Sequence, residues 1–221
     1  MGRTKQRRNR CLVYIREVGM VFVVDLDDTI CDTDGYSEKY ICEFIAAHKL
    51  PYKQVATNVR FAESKFDWDT ETALKWYKEF GDQMMAEFPC KKNAVKFLQS
   101  IHKARQKIVI ATARATDWHT QPKEVTLKWL ADNKIPYDKI YIGRIDKEKI
   151  CEEVSADFFI DDDLTVVSKV ANYFASIGGN KQAFLSTTNY NKDLSVPSGV
   201  IRVKDFDDLA KRIDSKQICL E

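Results

Sequence analysis

The sequence lacks the features that mark membrane-spanning, secreted and zinc-binding proteins. No apolar run approaches the roughly 18 residues that a membrane-spanning helix needs. The apolar stretch at residues 11–15 is followed by Arg16 and Glu17 and not by a small-residue cleavage site, so we expect no secretory signal peptide. The six cysteines form no CxxC pair and the three histidines are scattered, which excludes the usual zinc spacings. These absences favour a cytoplasmic protein with reduced thiols and no membrane partner.

The composition that remains is typical of a globular protein. The chain has 221 residues, of which 44% are hydrophobic and 31% charged, and this length can bury a core without a disulfide or metal scaffold. Residues 1–19 carry six cations against one acid, which leaves a net charge of −3 for residues 20–221, because the whole chain carries +2. We interpret residues 1–19 as a flexible basic extension, or as a segment that precedes a true start at Met20.

Short apolar runs bounded by turn residues predict a sheet whose strands are buried on both faces. Apolar residues at helical spacing follow most of these runs. Alternating strands and helices predict an α/β fold, in which a Rossmann-like parallel sheet is flanked by helices on both sides. The predicted strands lie at residues 21–24, 108–111, 140–142, 158–160, 183–185 and 200–203, and the predicted core helices at 94–101, 125–130, 166–174 and 205–213.

One connection is far longer than a simple crossover requires. More than 80 residues separate the first predicted strand from the second, and they contain helical patterns at residues 40–48 and 72–88. We therefore predict a small helical cap at residues 36–89, inserted into a catalytic core made of residues 20–35 and 90–221.

Polar side chains follow three of the predicted strands at the point where each strand ends. The segment 25–29 (DLDDT) follows the first strand, Thr112 to Arg114 follow the second, and residues 161–163 (DDD) follow the fourth. Because the carboxyl ends of parallel strands form the crevice where ligands bind, we expect these three clusters to converge on one site.

Converging carboxylates suit phosphoryl transfer through an aspartyl phosphate. A carboxylate nucleophile repels an anionic substrate, so a Mg²⁺ ion has to neutralise charge, and Mg²⁺ prefers hard oxygen ligands such as Asp25 and Asp162. Alternate residues on an extended strand end point to opposite sides, so Asp27 would offer its backbone carbonyl to the metal and its side chain to the leaving group. Asp27 is therefore a candidate general acid and base.

The order and spacing of these motifs resemble the haloacid dehalogenase (HAD) superfamily of phosphatases. The matching residues are Asp25-x-Asp27-x-Thr29, Thr112, a lysine before the third core helix, and Asp161-Asp162. A helical cap directly after the first motif resembles the 5'(3')-deoxyribonucleotidase group. Local matches to that group lie at residues 66–68, 110–114, 129–138, 159–162 and 189–191. Asp28 departs from the glycine that many relatives carry, which weakens the substrate assignment more than the fold assignment.

The resemblance implies a role for each matched residue. Asp25 would be the nucleophile and Asp27 the acid and base, while Asp25, Asp27, Asp161 and Asp162 would bind Mg²⁺. The substrate phosphate would be bound by Thr112, Ala113 and Arg114 at the second motif. Lys147 fits the position of the family lysine best, with Lys149 as its competitor, and this lysine would hold the substrate phosphate and the nucleophile together.

Several of these residues have plainer readings. One of residues 161–163 can be a helix N-cap, although three adjacent carboxylates repel each other unless a cation is present. Phe66 and Trp68 in the cap can stack on a nucleobase or simply pack, whereas Trp76 and Phe80, four residues apart, suit the core of the cap. We expect His119, in the loop after the second motif, to be exposed to solvent.

These observations favour a Mg²⁺-dependent phosphatase that acts on a small phosphomonoester, with a nucleoside monophosphate as the leading substrate. Sugar phosphates and nucleic-acid ends are the alternatives that keep the chemistry. A docking module that binds nucleic acid through the basic extension is the alternative of a different class, and the complete set of catalytic residues argues against it. Both a monomer and a homodimer are compatible with the sequence.

Overall fold

The computed structural model of the chain describes residues 19–213. Six parallel strands form one sheet in the order β3-β2-β1-β4-β5-β6, which confirms the predicted Rossmann-like α/β fold. Apart from Gly19, the basic extension lies outside the described residues. The strands are β1 (Val21–Val24), β2 (Lys107–Thr112), β3 (Lys139–Ile142), β4 (Phe158–Asp161), β5 (Gln182–Ser186) and β6 (Val200–Val203), and the helices are α1 (Asp34–Ala47), α2 (Thr70–Glu87), α3 (Ala94–Lys103), α4 (Pro122–Asp132), α5 (Lys147–Glu153), α6 (Leu164–Ile177) and α7 (Phe206–Arg212).

Strand β1 lies in the middle of the sheet, and its apolar sequence follows from that position. It pairs with β2 on one side and β4 on the other, so both of its faces are covered. Phe22 and Val24 join the hydrophobic cluster that includes α3 and α7, whereas Val21 and Val23 join the cluster on the opposite face, with α5 and α6. A strand buried on both faces carries no polar alternation, which is why a continuous apolar run predicted it.

The long connection between β1 and β2 forms a helical insertion, defined here as residues 34–89. It contains α1, a short 3-10 helix (Ala62–Lys65) and α2. Trp76 is fully buried, and Phe80 packs on Tyr40 and Phe44 across the two helices, as the aromatic spacing predicted. Helix α2 also packs against α4 of the core. The predicted cap at residues 36–89 falls within this insertion, and the division of the chain into a cap and a catalytic core stays a prediction.

The carboxyl ends of the parallel strands lie along one edge of the sheet, and the residues of interest follow those ends. Asp25 follows β1, Thr112 ends β2, and Asp161 ends β4, directly before Asp162. Among the described residues, no helix is long and apolar enough to cross a membrane.

Candidate active site

Three buried carboxylates meet where β1 and β4 end. Asp25, Asp161 and Asp162 each offer an oxygen, and these oxygens lie within 4.8 Å of one another. The backbone brings them together, because the Asp25 amide donates to the carbonyl of Ile160 at 2.9 Å and extends the β1–β4 pairing by one residue. All three side chains are at most 6% exposed. The convergence expected from the strand ends is therefore present.

The electrostatics of this cluster favour a cation. Burial raises the pKa of Asp25 to about 7 against the pull of the Lys147 ammonium, and the Asp161 carboxylate adds to the rise. Burial, followed by the charges of Asp161 and Asp25, raises the pKa of Asp162 well above its usual range. Buried like charges at this distance oppose ionisation, and one lysine does not balance three carboxylates. A divalent cation would supply the missing charge.

The donor atoms fit Mg²⁺ better than softer metals. The cluster offers carboxylate oxygens, and neither cysteine nor histidine contributes a ligand atom to it. Mg²⁺ takes hard oxygen ligands and usually keeps several of its waters, so one or two carboxylates and a backbone carbonyl suffice. The Asp27 side chain is not part of the cluster, and metal binding by its backbone carbonyl stays a prediction.

Lys147 lies against the cluster. Its ammonium is 2.5 Å from Asp25 Oδ1 and 2.7 Å from Asp161 Oδ2, and its side chain is 10% exposed. Burial would lower the pKa of Lys147, but these two carboxylates outweigh it and hold the pKa above its usual value. Asp146 caps α5 by accepting from the Glu148 amide, which makes Lys147 the first residue of the helix. Lys149 is exposed, so the structure brings Lys147 and not Lys149 to the aspartates.

Asp27 lies beside a buried arginine. Arg114 Nη2 donates to Asp27 Oδ1 at 2.7 Å, and Arg114 Nε donates to Asp27 Oδ2 at 3.0 Å, so the pair is bidentate. The Thr112 hydroxyl donates to Asp27 Oδ2 at 3.3 Å, and the Thr33 hydroxyl donates to Oδ1 at 3.2 Å. Arg114 also donates to the hydroxyl of Thr126, and only 2% of its side chain is exposed. Its guanidinium therefore orients Asp27 in this structure.

This pairing determines the protonation state of Asp27. Burial would raise its pKa, but the charge and hydrogen bonds of Arg114 outweigh burial and hold the pKa of Asp27 below its usual value. Asp25 and Asp27 lie two residues apart, yet their pKa values are shifted in opposite directions. Two carboxyl groups with such different environments can take different chemical roles.

Asp28 adopts a left-handed backbone conformation, which is more typical of glycine. Its φ of 53° lies in the left-handed region, where a side chain other than that of glycine is strained. The carboxylate compensates locally, because Asp28 Oδ1 accepts from the amides of Thr33 at 2.9 Å and Asp34 at 2.8 Å. Asp28 thus ties the loop after β1 to the start of α1, which a glycine could not do.

The remaining predicted site residues lie in different surroundings. Ala113 is exposed beside Thr112. Phe66 is 8% exposed, and Trp68 packs on both Phe66 and Trp76 with ring centroids 5.6 Å apart. The indole N–H of Trp68 donates to the carbonyl of Glu63. Both rings pack within the insertion, and their contact with a nucleobase stays a prediction.

The expectation for His119 is wrong. The imidazole is partly buried against α2, where a Cβ added to Gly81 would lie 2.6 Å from His119 Nδ1. Burial, together with the nearby Arg114 charge, lowers the pKa of His119 to about 4, so the ring is neutral. Gly81 leaves space on the surface of α2, and the imidazole fills it. The position of His119 in a loop did not indicate this contact with a distant helix.

Some residues that support the aspartate loops were not predicted as site residues from the sequence. Asn191 is fully buried, and its side-chain amide donates to the carbonyls of Asp162 and Ser186 at 2.8 Å each. Lys91 donates to the carbonyl of Asp28, and the Ser186 hydroxyl donates to the same oxygen at 3.4 Å. These contacts fix the backbone of the loop after β1, at Asp28, and of the loop after β4, at Asp162. Asn191 lies in a segment matched to the nucleotidase group, but no spacing rule indicated its role.

Comparison with solved structures places the fold among known hydrolases. A haloacid dehalogenase-like hydrolase from Burkholderia xenovorans superposes with a TM-score of 0.56 at 15% identity, covering 90% of this chain and 98% of that one. A predicted phosphatase from Clostridium acetobutylicum gives 0.55 at 17% identity, with coverages of 89% and 98%. CbbY from Rhodobacter sphaeroides, in complex with xylulose-(1,5)bisphosphate, gives 0.56 at 13% identity, with coverages of 86% and 95%. No protein-family model and no curated protein matches the sequence.

Proposed function

We propose that this chain, which has the fold of the haloacid dehalogenase-like hydrolases, is a phosphatase that hydrolyses a small phosphomonoester through an aspartyl phosphate on Asp25. The observation that supports it most directly is the buried group of Asp25, Lys147, Asp161 and Asp162, with Asp27 held separately by Arg114 and Thr112. One carboxylate can then act as nucleophile while the other moves protons.

In the first step, a carboxylate oxygen of Asp25 forms a bond to phosphorus and the bond between phosphorus and the leaving oxygen breaks. Asp27 is the proposed proton donor to that leaving oxygen, so the alcohol departs neutral. Because Arg114 lowers the pKa of Asp27 in the free protein, this role requires the contact between Asp27 and Arg114 to loosen when substrate binds. Lys147 holds the nucleophile and offsets negative charge as the phosphoryl group approaches. We expect the Thr112 hydroxyl and the neighbouring amide of Ala113 to bind a phosphoryl oxygen.

In the second step, water attacks phosphorus and the bond to Asp25 breaks. Asp27, now ionised, takes the proton of the water, and inorganic phosphate is released with Asp25 regenerated. After the leaving group has departed, the Arg114 guanidinium can contact the Asp27 carboxylate through the bidentate hydrogen bonds of the free protein. Mg²⁺ held by Asp25, Asp161, Asp162 and the Asp27 carbonyl would supply the charge neutralisation that an anionic substrate requires.

A nucleoside monophosphate is the proposed substrate, supported by the motif matches to the nucleotidase group and by the aromatic insertion after the first motif. The helical insertion would act as a cap over the site. The free thiols of Cys31, Cys42, Cys90 and Cys151 support a reducing, cytoplasmic location. The proposed mechanism does not require a homodimer, which stays a prediction.

A sugar phosphate is the second candidate. Its support comes from neighbours of similar fold, namely CbbY with its bound bisphosphate and a D,D-heptose 1,7-bisphosphate phosphatase from Burkholderia thailandensis with a TM-score of 0.51 at 11% identity. The two candidates share one mechanism and differ only in the leaving alcohol.

A substrate panel tests both proposals. We expect phosphate release in the presence of Mg²⁺ and loss of release with EDTA, restored by added Mg²⁺. The panel should contain ribo- and deoxyribonucleoside 5' and 3' monophosphates, ribose 5-phosphate, and an oligonucleotide with a terminal phosphate. An Asp25→Asn protein purified in parallel measures contaminating phosphatase. Absence of Mg²⁺-dependent release from every member would contradict the phosphatase proposal, and release from sugar phosphates alone would contradict the nucleotide.

Lys147 and Lys149 offer a matched pair of substitutions. We expect Lys147→Gln to lower kcat/KM by roughly 10²–10³-fold, because glutamine cannot offset the charges of Asp25 and Asp161. Lys149→Gln removes the same charge from the same helix at an exposed position, and we expect a change within about twofold. Steady-state kinetics with the best substrate and a circular dichroism spectrum of each variant provide the measurement. A larger loss in Lys149→Gln would reverse the assignment.

A further inference from the structure

A cavity of about 570 Å³ lies beside the catalytic edge, on the side where β5 and β6 end. It is lined by the two segments that connect the core to the helical insertion. Asp28 lies in the segment that enters the insertion, and Lys91 lies in the segment that leaves it. The residues directly after β5, beginning at Ser186, complete it. A volume of this size is in the range that holds a small organic ligand.

The cations of the cavity have no carboxylate partner. Lys91, Lys92, Lys192 and Lys204 all line it, and no carboxylate oxygen of residues 19–213 lies within 4.0 Å of their ammonium groups. Lys91 is partly buried and donates to a carbonyl and a hydroxyl. The other three are exposed at the rim, where each ammonium keeps its donors available.

The carboxylates in the wall are, in contrast, already engaged. Asp28 accepts from two backbone amides, and Asp34 lies 2.7 Å from the ammonium of the buried Lys65. Asp205 caps α7 through the Asp208 amide at 2.8 Å, and Asp32 accepts from the Gly35 amide at 3.2 Å. The donors that remain available in the cavity are therefore those of the exposed lysines and the hydroxyl of Thr188, since the Thr187 hydroxyl already donates to the carbonyl of Val203 at 2.7 Å.

The cavity is connected to the catalytic loops by short paths. The Lys91 ammonium and the Ser186 hydroxyl both donate to the carbonyl of Asp28, the residue after Asp27. Asn191 joins the carbonyl of Ser186 to the carbonyl of Asp162. An anion that attracts the Lys91 ammonium competes with Asp28 for its protons, and so changes the support of the loop that carries Asp27.

We propose that this cavity is a second anion site, which binds the phosphate group of a small organic phosphate or free inorganic phosphate and thereby changes turnover at the aspartate site. Lys92 and Lys192 attract the anion, and Lys91 transmits its presence to the Asp28 carbonyl. Binding in the cavity is independent of the proposed phosphatase activity, whereas the effect on turnover rests on it.

Binding is tested on the full chain carrying Asp25→Asn and Lys147→Gln, which disable the aspartate site. Isothermal titration with inorganic phosphate and, separately, with ribose 5-phosphate should each be carried out with and without Lys92→Gln/Lys192→Gln. We expect binding that weakens at least tenfold when the two lysines are replaced. Lys103→Gln/Lys123→Gln removes the same charge from exposed positions outside the cavity and should leave the affinity unchanged.

The two probes distinguish the source of the phosphate group. Tighter binding of ribose 5-phosphate indicates an organic phosphate, and equal binding indicates inorganic phosphate. Absence of binding for both probes, or equal weakening by the control pair, would overturn the site.

The effect on turnover needs the wild-type active site. With 4-nitrophenyl phosphate as substrate, inorganic phosphate should change kcat as well as KM in the wild-type protein, and only KM in Lys92→Gln/Lys192→Gln, whose kcat without added phosphate stays unchanged. A purely competitive pattern in both proteins would overturn the coupling and leave the binding result intact. If neither protein turns over 4-nitrophenyl phosphate or any substrate of the panel, the proposed phosphatase activity is contradicted and, with it, the effect on turnover.

Discussion

Replacement of Asp25 by asparagine is expected to lower phosphate release by roughly 10⁴-fold or more, because the amide oxygen is a poor nucleophile for phosphorus. Asparagine nearly keeps the shape of the side chain, and Lys147 keeps its contact with Asp161. The loss should therefore appear in kcat with little change in fold. Single-turnover assays with the best substrate of the panel measure it. Retention of wild-type kcat would contradict the assignment of Asp25 as nucleophile.

The same variant has a second readout in metal-free buffer. Because the folded pKa of Asp25 is raised from 3.8 to about 7, the folded protein retains a proton that the unfolded chain releases. The contribution of Asp25 to the free energy of unfolding should then be largest below the lower of these values and be lost as pH rises through the higher one. Asp25→Asn should show a shallower fall in urea titrations with EDTA. This readout separates an effect on the carboxylate cluster from an effect on chemistry alone.

Asp27→Asn is expected to lower kcat by roughly 10²–10⁴-fold through loss of proton transfer. With 4-nitrophenyl phosphate the result should be distinctive, since nitrophenolate leaves without a proton. The first step then persists while attack by water is slow, so stopped-flow absorbance should show a burst of about one nitrophenolate per enzyme followed by slow turnover. Asp25→Asn should show no burst. The absence of a burst in both variants would contradict separate roles for the two aspartates.

Arg114→Gln is the control for the Asp27 experiment. Asparagine at position 27 leaves the buried guanidinium without its carboxylate, and a buried charge without a partner destabilises the fold. Arg114→Gln removes the guanidinium and leaves Asp27 in place. If both variants lose stability but only Asp27→Asn gives the burst, the kinetic effect belongs to the carboxyl group and not to the broken ion pair.

The sheet and the converging strand ends were predictable from the sequence for a simple physical reason. A strand buried on both faces has a continuous apolar sequence, and polar residues after such a strand lie at the ligand-binding edge of a parallel sheet. The N-cap reading was also correct for one of the three adjacent aspartates, because Asp163 accepts from the amides of Thr165 and Val166. Local pattern was sufficient for these features.

Features that depend on packing between distant elements were not predictable. The contacts of Lys147, which the sequence favoured over Lys149, with Asp25 and Asp161 required the approach of α5 to the ends of β1 and β4. The environment of His119 required the gap at Gly81, nearly 40 residues earlier in the chain. The pairing of Arg114 with Asp27 depends on how closely the loop after β2 approaches Asp27, and the sequence spacing does not predict that distance. Each depends on a contact that only the folded sheet and insertion create.

The central position of β1 also governs the order in which the site can form. Val21 pairs with Lys107 and Phe22 pairs with Phe158, so the first strand to be synthesised acquires its two neighbours only after most of the chain has followed. The helical insertion, whose α1 and α2 contact each other over short sequence separations, can form long before that. A chain that ends before β4 has Asp25 but neither Asp161 nor Asp162. The carboxylate cluster therefore assembles only after β4 has been synthesised, and a shorter chain cannot bring its mutually repelling charges together.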